Sequence, residues 1–300
     1  MKVIVLGNCT VDLSFAVPRF PLAGETLLAT ERSVDLGGKG ANQALVAERF
    51  GALTMLAVPI GRDVDGDWAC QRLAAEGLSL AAVTRVDTAT DQSVIYVTPD
   101  GENAIVSTHQ AARTTTPDWA AEVLRRHAEP HDILLLQGNL PLETTREALA
   151  QARAIGLMTV LNPAPIQYSC DTLFPFVDLA ILNEIEAVEL GGASEPVQAG
   201  VSIQARWVPQ VIVTLGAAGA VLIDRDGVAR VPAPAVEAVD TVGAGDTLCG
   251  ALVAALARGL SVAAALRLAV EAASLAVTRK GTQSSFPSRS EARAINEKHP

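Results

Sequence analysis

Asp246 closes the stretch Asp240-Thr-Val-Gly-Ala-Gly-Asp246 and is followed by Thr-Leu-Cys-Gly250. Gly243, Ala244 and Gly245 let a ligand approach the backbone closely, and a helical pattern begins at once. Successive N–H groups at a helix start form an anion site, suited to the charge on a phosphoryl group in transfer. Asp246 would sit in the first helical turn, able to take a proton from an attacking hydroxyl. The same local pattern fits a carboxylate that only complements the helix dipole. Other glycine-rich stretches say less by themselves. Gly37-Gly38-Lys39-Gly40 lacks the frame and the Ser/Thr of a Walker A loop, and Gly243-Ala-Gly245 lacks the third glycine of a Rossmann fingerprint. Gly216-Ala-Ala-Gly219 is an ordinary turn or a loop over a nucleotide.

The histidines and tryptophans have plainer accounts. His127 and His131 are four apart, but Pro130 intervenes and no acidic or Cys ligand adjoins them, so a solvated helix end explains them better than zinc. His109 fits a surface loop. Trp68, Trp119 and Trp207 fall in or beside helical patterns, where packing accounts for them.

The elements that must position Asp246 are legible as alternation. Val3–Leu6, Thr54–Val58, Ile133–Leu136, Thr159–Leu161, Leu179–Leu182 and Val211–Leu215 read as buried strands. Ala41–Phe50, Asp67–Glu76, Pro117–His127, Leu142–Ile155 and Glu184–Leu190 read as helices between them. That order implies a mostly parallel sheet covered on both faces, an α/β fold. Val262, Ala265, Leu266, Ala269, Val270, Ala273 and Val277 recur at helical spacing near the C-terminus. No repeat and no low-complexity linker divides the chain, so residues 1–300 read as one domain. Two segments, 12–32 and 91–107, carry extended runs with no helix between. In the second, Gln92–Val97 and Asn103–Ser107 flank a Pro-Asp-Gly-Glu turn, a hairpin signal. The two segments could pair as a small sheet covering a site.

Composition narrows the function. With 23 Lys+Arg against 33 Asp+Glu, the formal charge is −10 and no basic run appears, which argues against nucleic acid. Hydrophobic residues at 49% exclude a disordered chain. Cys9, Cys70, Cys170 and Cys249 are widely spaced, with no C-x-x-C, and read as small buried hydrophobes. Val3–Leu6 is too short for a signal-peptide core, and Arg258, Arg267 and Glu271 interrupt the Ala/Leu-rich stretch 251–277. The expectation is a cytoplasmic protein with no membrane span.

Taken in order, the motifs resemble the ribokinase family of carbohydrate kinases, within the phosphofructokinase B superfamily. The resemblance runs from Val3 to Pro287. It rests on Gly7…Asp12, Pro21-Leu-Ala-Gly24-Glu25-Thr26, Gly37-Gly38-Lys39-Gly40-Ala41-Asn42-Gln43-Ala44 and Gly101-Glu102-Asn103. It continues through Asn162-Pro163-Ala164-Pro165, Asn183-Glu184-Ile185-Glu186, Thr214-Leu215-Gly216, 240–250 and Val277–Ser285. The blocks 37–44 and 240–250 are each specific. The resemblance implies a three-layer αβα sandwich with a small β-sheet lid, and transfer of the ATP γ-phosphoryl group to a primary hydroxyl of a sugar or sugar-like alcohol. Asp246 would be the general base, and the N–H groups of Gly243, Ala244 and Gly245 the anion hole. Thr10, Asp12, Gly38, Lys39, Asn42 and Asn139 would lie on the substrate side. Asn183, Glu186, Thr214, Gly216, Ala217, Gly219 and Gly245 would lie along ATP, with Glu186 near hydrated Mg²⁺. A monovalent cation, potassium, would sit at Asp240, Val242, Ala276, Arg279, Gly281 and Ser285, mostly on backbone carbonyls. The lid implies a homodimer.

Two substrate-side positions depart from the ribose-specific members, which usually carry Asn where Thr10 stands and Glu where Asn139 stands. An amide in place of a carboxylate removes a charge and adds two donors. A site built for one hydroxyl pattern rejects analogues that leave polar groups unpaired. The expectation is that ribose is not the best substrate; another pentose, a deoxy sugar, a sugar acid or a nucleoside fits the change. Val270 stands where some members place His, which leaves base selectivity open. Two other readings are a nucleoside kinase of the same fold and a catalytically silent sugar- or nucleotide-binding regulator. The presence of Asp246, Gly243 and Gly245 favours an enzyme.

Overall fold

The computed structural model describes all residues, 1–300. In chain order the elements are β1 (Lys2–Leu6), β2 (Thr10–Ala16), β3 (Glu31–Gly37), α1 (Lys39–Arg49), β4 (Leu53–Gly61), α2 (Val64–Ala75), β5 (Val83–Val86), β6 (Gln92–Val97) and β7 (Asn103–Ser107). There follow α3 (Pro117–His127), β8 (Ile133–Gln137), α4 (Leu142–Ile155), β9 (Met158–Asn162), β10 (Leu179–Asn183), α5 (Glu184–Gly191), α6 (Pro196–Arg206) and β11 (Gln210–Thr214). The chain ends with β12 (Ala220–Asp224), β13 (Gly227–Val231), α7 (Ala244–Ala257), α8 (Val262–Ala276) and α9 (Arg289–Lys298).

The large sheet has the order β13-β12-β11-β10-β9-β8-β1-β4-β5, parallel from β11 to β5 and antiparallel at β12 and β13. Alternate side chains of each strand enter opposite layers. Val3 and Val5 of β1 join one core with α1, α2, α7, α8 and α9, while Ile4 and Leu6 join the other with α3 to α6. Both faces are therefore covered, which is why the strands read as continuous apolar runs rather than as polar–apolar alternation. Strand order reverses direction between β1 and β8, and the carboxyl ends of the strands at such a point form the crevice where α/β sheets bind ligands.

Two features differ from the expectation. The hairpin β12–β13 and the helix α6 fall where the sequence pattern assigns no element, although Asp226-Gly227 is a turn pair. The extended run expected at 12–32 is β2 at 10–16 and β3 at 31–37, joined by a loop. Pro18 and Pro21 lie in that loop, where missing N–H groups break a ladder. The stretch 251–277 holds the end of α7 and the whole of α8, separated at Gly259 with φ 97°, and α8 carries the helical stripe expected from Val262.

The second sheet has the order β3-β2-β6-β7, so segments 12–32 and 91–107 do pair, through parallel β2 and β6. Its faces differ. Val34, Leu13, Val94 and Val106 form one rung and Phe15 with Tyr96 the next, on one side. Asp35, Asp12, Ser93 and Ser107 form a polar rung on the other. The charge of Asp246 acts on Asp12, so the polar side looks toward the crevice.

Candidate active site

The carboxyl ends of the parallel strands supply one side of the site. Gln137 ends β8, Asn162 ends β9 in register with it, and Asn183 and Thr214 end β10 and β11 as a second pair. Helices α1 and α7 supply the other side. Gly38 precedes α1 at φ 89°, and a Cβ there would come within 2.8 Å of Cys9 Cα, so only glycine fits that approach. This brings the first turns of α1 against the start of α7.

Asp246 occupies the third position of α7 and is 5% exposed. Asn42 Nδ2 donates to its Oδ2 at 3.0 Å, and Gln43 Nε2 donates to its Oδ1 at 3.0 Å. Lys39 Nζ stands 3.5 Å from Oδ1. The neighbouring carboxylate holds the Lys39 ammonium above the ordinary lysine range, opposed by burial, so Lys39 stays charged. Gly243, at φ 81°, begins α7 with no side-chain cap. The N–H groups of Gly243, Gly245 and Asp246 make no hydrogen bond, and the space over Gly245 is open. Ala244 N–H instead closes a turn on Thr241 O at 3.3 Å, so of the three expected anion donors two are free and Asp246 N–H joins them. A helix start with unpaired donors beside a buried carboxylate can receive an anion and a hydroxyl together.

On the small sheet, Thr10 Oγ1 donates to Asp12 Oδ1 at 2.7 Å. Burial pushes the Asp12 carboxyl up, opposed by hydrogen bonds from Thr10 and Ser93. Asn139 Oδ1, just past β8, is buried and has no partner. Along β10 and β11, Asn183 and Glu186 form a reciprocal capping box: Asn183 Oδ1 accepts from Glu186 N–H at 2.8 Å, and Glu186 Oε2 accepts from Asn183 N–H at 2.9 Å. Burial pushes the Glu186 carboxyl up; the charges of Lys39 and Asp246 both reach it, which places it on the same crevice. Gly216 and Ala217 lie in an exposed turn after β11 that ends at the buried Gly219, which at φ 93° lies so close to Val231 O that a side chain cannot fit.

The loops at 240 and 281 are tied by one side chain. Asp240 Oδ1 accepts from Val242 N–H at 2.9 Å and Oδ2 from Gly281 N–H at 3.0 Å. Ser285 Oγ is buried and donates to Thr282 O at 2.7 Å. Ala276 O accepts from Arg279 N–H at 3.1 Å, and the Arg279 side chain turns away to Glu291.

Four functional candidates have no role in the sequence expectation. Gln43, Gln137 and Asn162 form a buried chain of amides behind Asp246, and Gln283 Nε2 donates to Asn42 Oδ1 at 3.1 Å. Gln43, Asn162 and Gln283 lie inside the quoted motif blocks and Gln137 directly follows the run 133–136, but the signal there is residue type alone.

Known proteins match over nearly the whole chain. The family model for pfkB family carbohydrate kinases matches residues 1–289. A ribokinase of Haemophilus influenzae is 35% identical over 294 residues, covering 96% of this chain and 95% of the relative. A deoxyribokinase of Salmonella typhi is 33% identical over 300 residues, covering 96% of each. Among solved structures, a ribokinase from Thermotoga maritima superposes with a TM-score of 0.88 at 30% identity, covering 99% of both chains. An Arabidopsis thaliana ribokinase complexed with ribose and ATP gives 0.87 at 28% identity, covering 98% of both. The ribokinase-like α/β architecture, with its separate four-stranded sheet, is thus common to this chain and to those enzymes. The chain belongs to the pfkB family of carbohydrate kinases, ATP-using phosphotransferases with an alcohol group as acceptor.

Proposed function

We propose that this kinase moves the γ-phosphoryl group of ATP to a primary hydroxyl of a pentose or deoxypentose, with Asp246 as general base. The observation that carries the reading is Asp246 itself: buried, fixed by a donor on each oxygen, and next to the unpaired N–H groups of Gly243 and Gly245. The hydroxyl gives its proton to the Asp246 carboxylate as its oxygen bonds to phosphorus, and the bond from phosphorus to the ADP oxygen breaks. The free N–H groups at the start of α7, together with the Lys39 charge, receive the negative charge on the transferring group. Asn183, Thr214 and the turn 216–219 support the nucleotide.

The donor chemistry fits both cations. The Glu186 carboxylate retains lone pairs beyond its capping box and would hold Mg²⁺ through water, where Mg²⁺ supplies charge neutralisation between phosphates. Asp240, Ser285 and the carbonyls of Val242, Ala276, Arg279 and Gly281 would supply an all-oxygen set for potassium, which would steady the loop beside the anion donors; the ties of Asp240 to Val242 and Gly281 support this.

On the substrate side, Asp12 accepts from hydroxyls. Thr10 has given its only proton to Asp12 and is left as an acceptor. The orphaned Asn139 Oδ1 needs a donor, which a sugar hydroxyl would supply. An uncharged amide here supports a substrate other than ribose, and a relative named deoxyribokinase is in keeping with a deoxypentose. The apolar outer rung of the small sheet, with Val34 and Val106 exposed, supports a homodimer through the lid. No helix is long and apolar enough to cross a membrane, and we assign the enzyme to the cytoplasm.

The test is ADP release with Mg-ATP and potassium over pentoses, deoxy sugars, hexoses, sugar acids and nucleosides, for the wild type and Asp246→Asn. The variant should lose ~10²–10⁴-fold in kcat while still binding ATP. Near wild-type turnover would refute the role of Asp246, and ribose leading by a wide margin would refute the substrate assignment.

A further inference from the structure

Gln43 and Gln137 are fully buried, and Asn162 is 7% exposed. Such amides are costly in a core unless their donors and acceptors are matched, so the direction of each bond carries information. Direction can be read from one end. Ile181 O is a backbone carbonyl and can only accept, and Asn162 Nδ2 donates to it at 3.0 Å. Asn162 must therefore present its oxygen to Gln43, which donates from Nε2 at 3.1 Å. The second proton on the same Gln43 nitrogen goes to Asp246 Oδ1 at 3.0 Å. Gln137 Nε2 donates to Gln43 Oε1 at 2.8 Å, closing the other end. Gln137 Oε1 is left buried and unpaired, beside Gly7. Turning Gln137 over to satisfy that oxygen would set two oxygens against each other at Gln43. The chain thus keeps one unsatisfied atom and in return always offers Asp246 a donor, never an acceptor.

We propose that Gln43 is a positioning residue for Asp246, its amide locked by Gln137 and Asn162 so that Oδ1 of the base is always held by an N–H, while Asn42 holds Oδ2 and the carboxylate keeps free lone pairs for the incoming hydroxyl. This rests on Asp246 being the base. The sugar and the nucleotide need not touch Gln43, so its effect runs through the ionised state and the angle of one carboxylate. The charged and titratable groups that also face Asp246 are Lys39 on α1, Asp12 on β2, Glu186 on α5 and Cys249 on its own helix, and the variants below leave all four in place.

The test compares Gln43→Met, Gln43→Glu and Gln137→Met with wild type, reading kcat, both KM values, thermal midpoint and log kcat against pH. A carboxylate that loses a donor binds its proton more tightly, and one that gains a carboxylate neighbour does so further. Gln43→Met should lower kcat ~10–10²-fold, change the sugar KM less than about 3-fold, and move the acid limb of the profile about one unit to higher pH. Gln43→Glu, nearly isosteric, should move the limb further in the same direction. Gln137→Met, which does not touch Asp246, should move it less but with the same sign. An unmoved acid limb in either Gln43 variant, or a loss confined to KM, overturns the proposal; Gln43→Glu serves alone if Gln43→Met does not fold. A failure of Asp246→Asn to lose activity would remove the base assignment instead, so the two outcomes are separable.

Discussion

Gly40→Ala separates helix propensity from packing at the point where the active site is assembled. Gly40 lies in the first turn of α1 with ordinary helical backbone, where alanine would favour the helix by ~1 kcal/mol. Packing opposes it. A Cβ at Gly40 would stand 2.7 Å from Asn8 N, 2.8 Å from Asn8 O and 2.9 Å from Gly7 Cα, all backbone atoms that cannot rotate away. Restoring ordinary contact requires α1 to withdraw by about 0.7 Å from the end of β1. Asn42 and Gln43 ride on that helix, so a shift of that size would carry their 3.0 Å bonds to Asp246 out to as much as about 3.7 Å, beyond hydrogen-bond range. Overpacking of this kind costs ~1–3 kcal/mol, and a shift approaching 1 Å at a catalytic group costs on the order of 10²-fold in rate. Gly40→Ala should therefore melt several degrees lower and turn over ~10–10²-fold more slowly in a coupled ADP-release assay. A variant that melts higher and keeps wild-type kcat would refute the reasoning, by showing that α1 is not pressed against β1.

Other expectations test the periphery. The Arg279 guanidinium, aided by the Ser288 N–H, holds the Glu291 carboxyl down to about 2, so Glu291 stabilises the fold above the ordinary carboxylate range and loses that contribution as pH falls toward 2. Glu291→Gln should lower the thermal midpoint slightly at pH 7, because the pair is partly exposed, and the difference from wild type should shrink between pH 4.5 and 3. A difference that grows on acidification would contradict that sign. Replacing potassium by tetramethylammonium should reduce kcat, since a large cation does not fit the oxygen set at Asp240 and Ser285; equal rates in both salts would remove the cation assignment.

The chain's own pattern determined the layered α/β core and the place of Asp246 at a helix start, for a local reason. Burial on both faces of β1, β8 and β11 writes itself as short unbroken apolar runs, and a close backbone approach writes itself as glycine at 38 and 40. The edges of the sheet were less legible. The hairpin β12–β13 has one exposed strand with little apolar pattern, and the span from β2 to β3 is divided by a proline-bearing loop. Only the tertiary structure decided which polar side chains meet. Gln43, Gln137, Asn162 and Asp246 come from α1, β8, β9 and α7, with Gln43 separated from the others by 94, 119 and 203 residues. The direction of hydrogen bonding among them is fixed by two groups that only accept, the backbone carbonyl of Ile181 and the Asp246 carboxylate. No spacing along the chain encodes such a meeting, because it follows from strand order and helix docking. The identity of each amide could be read from the sequence, but the partner that gives it a purpose could not.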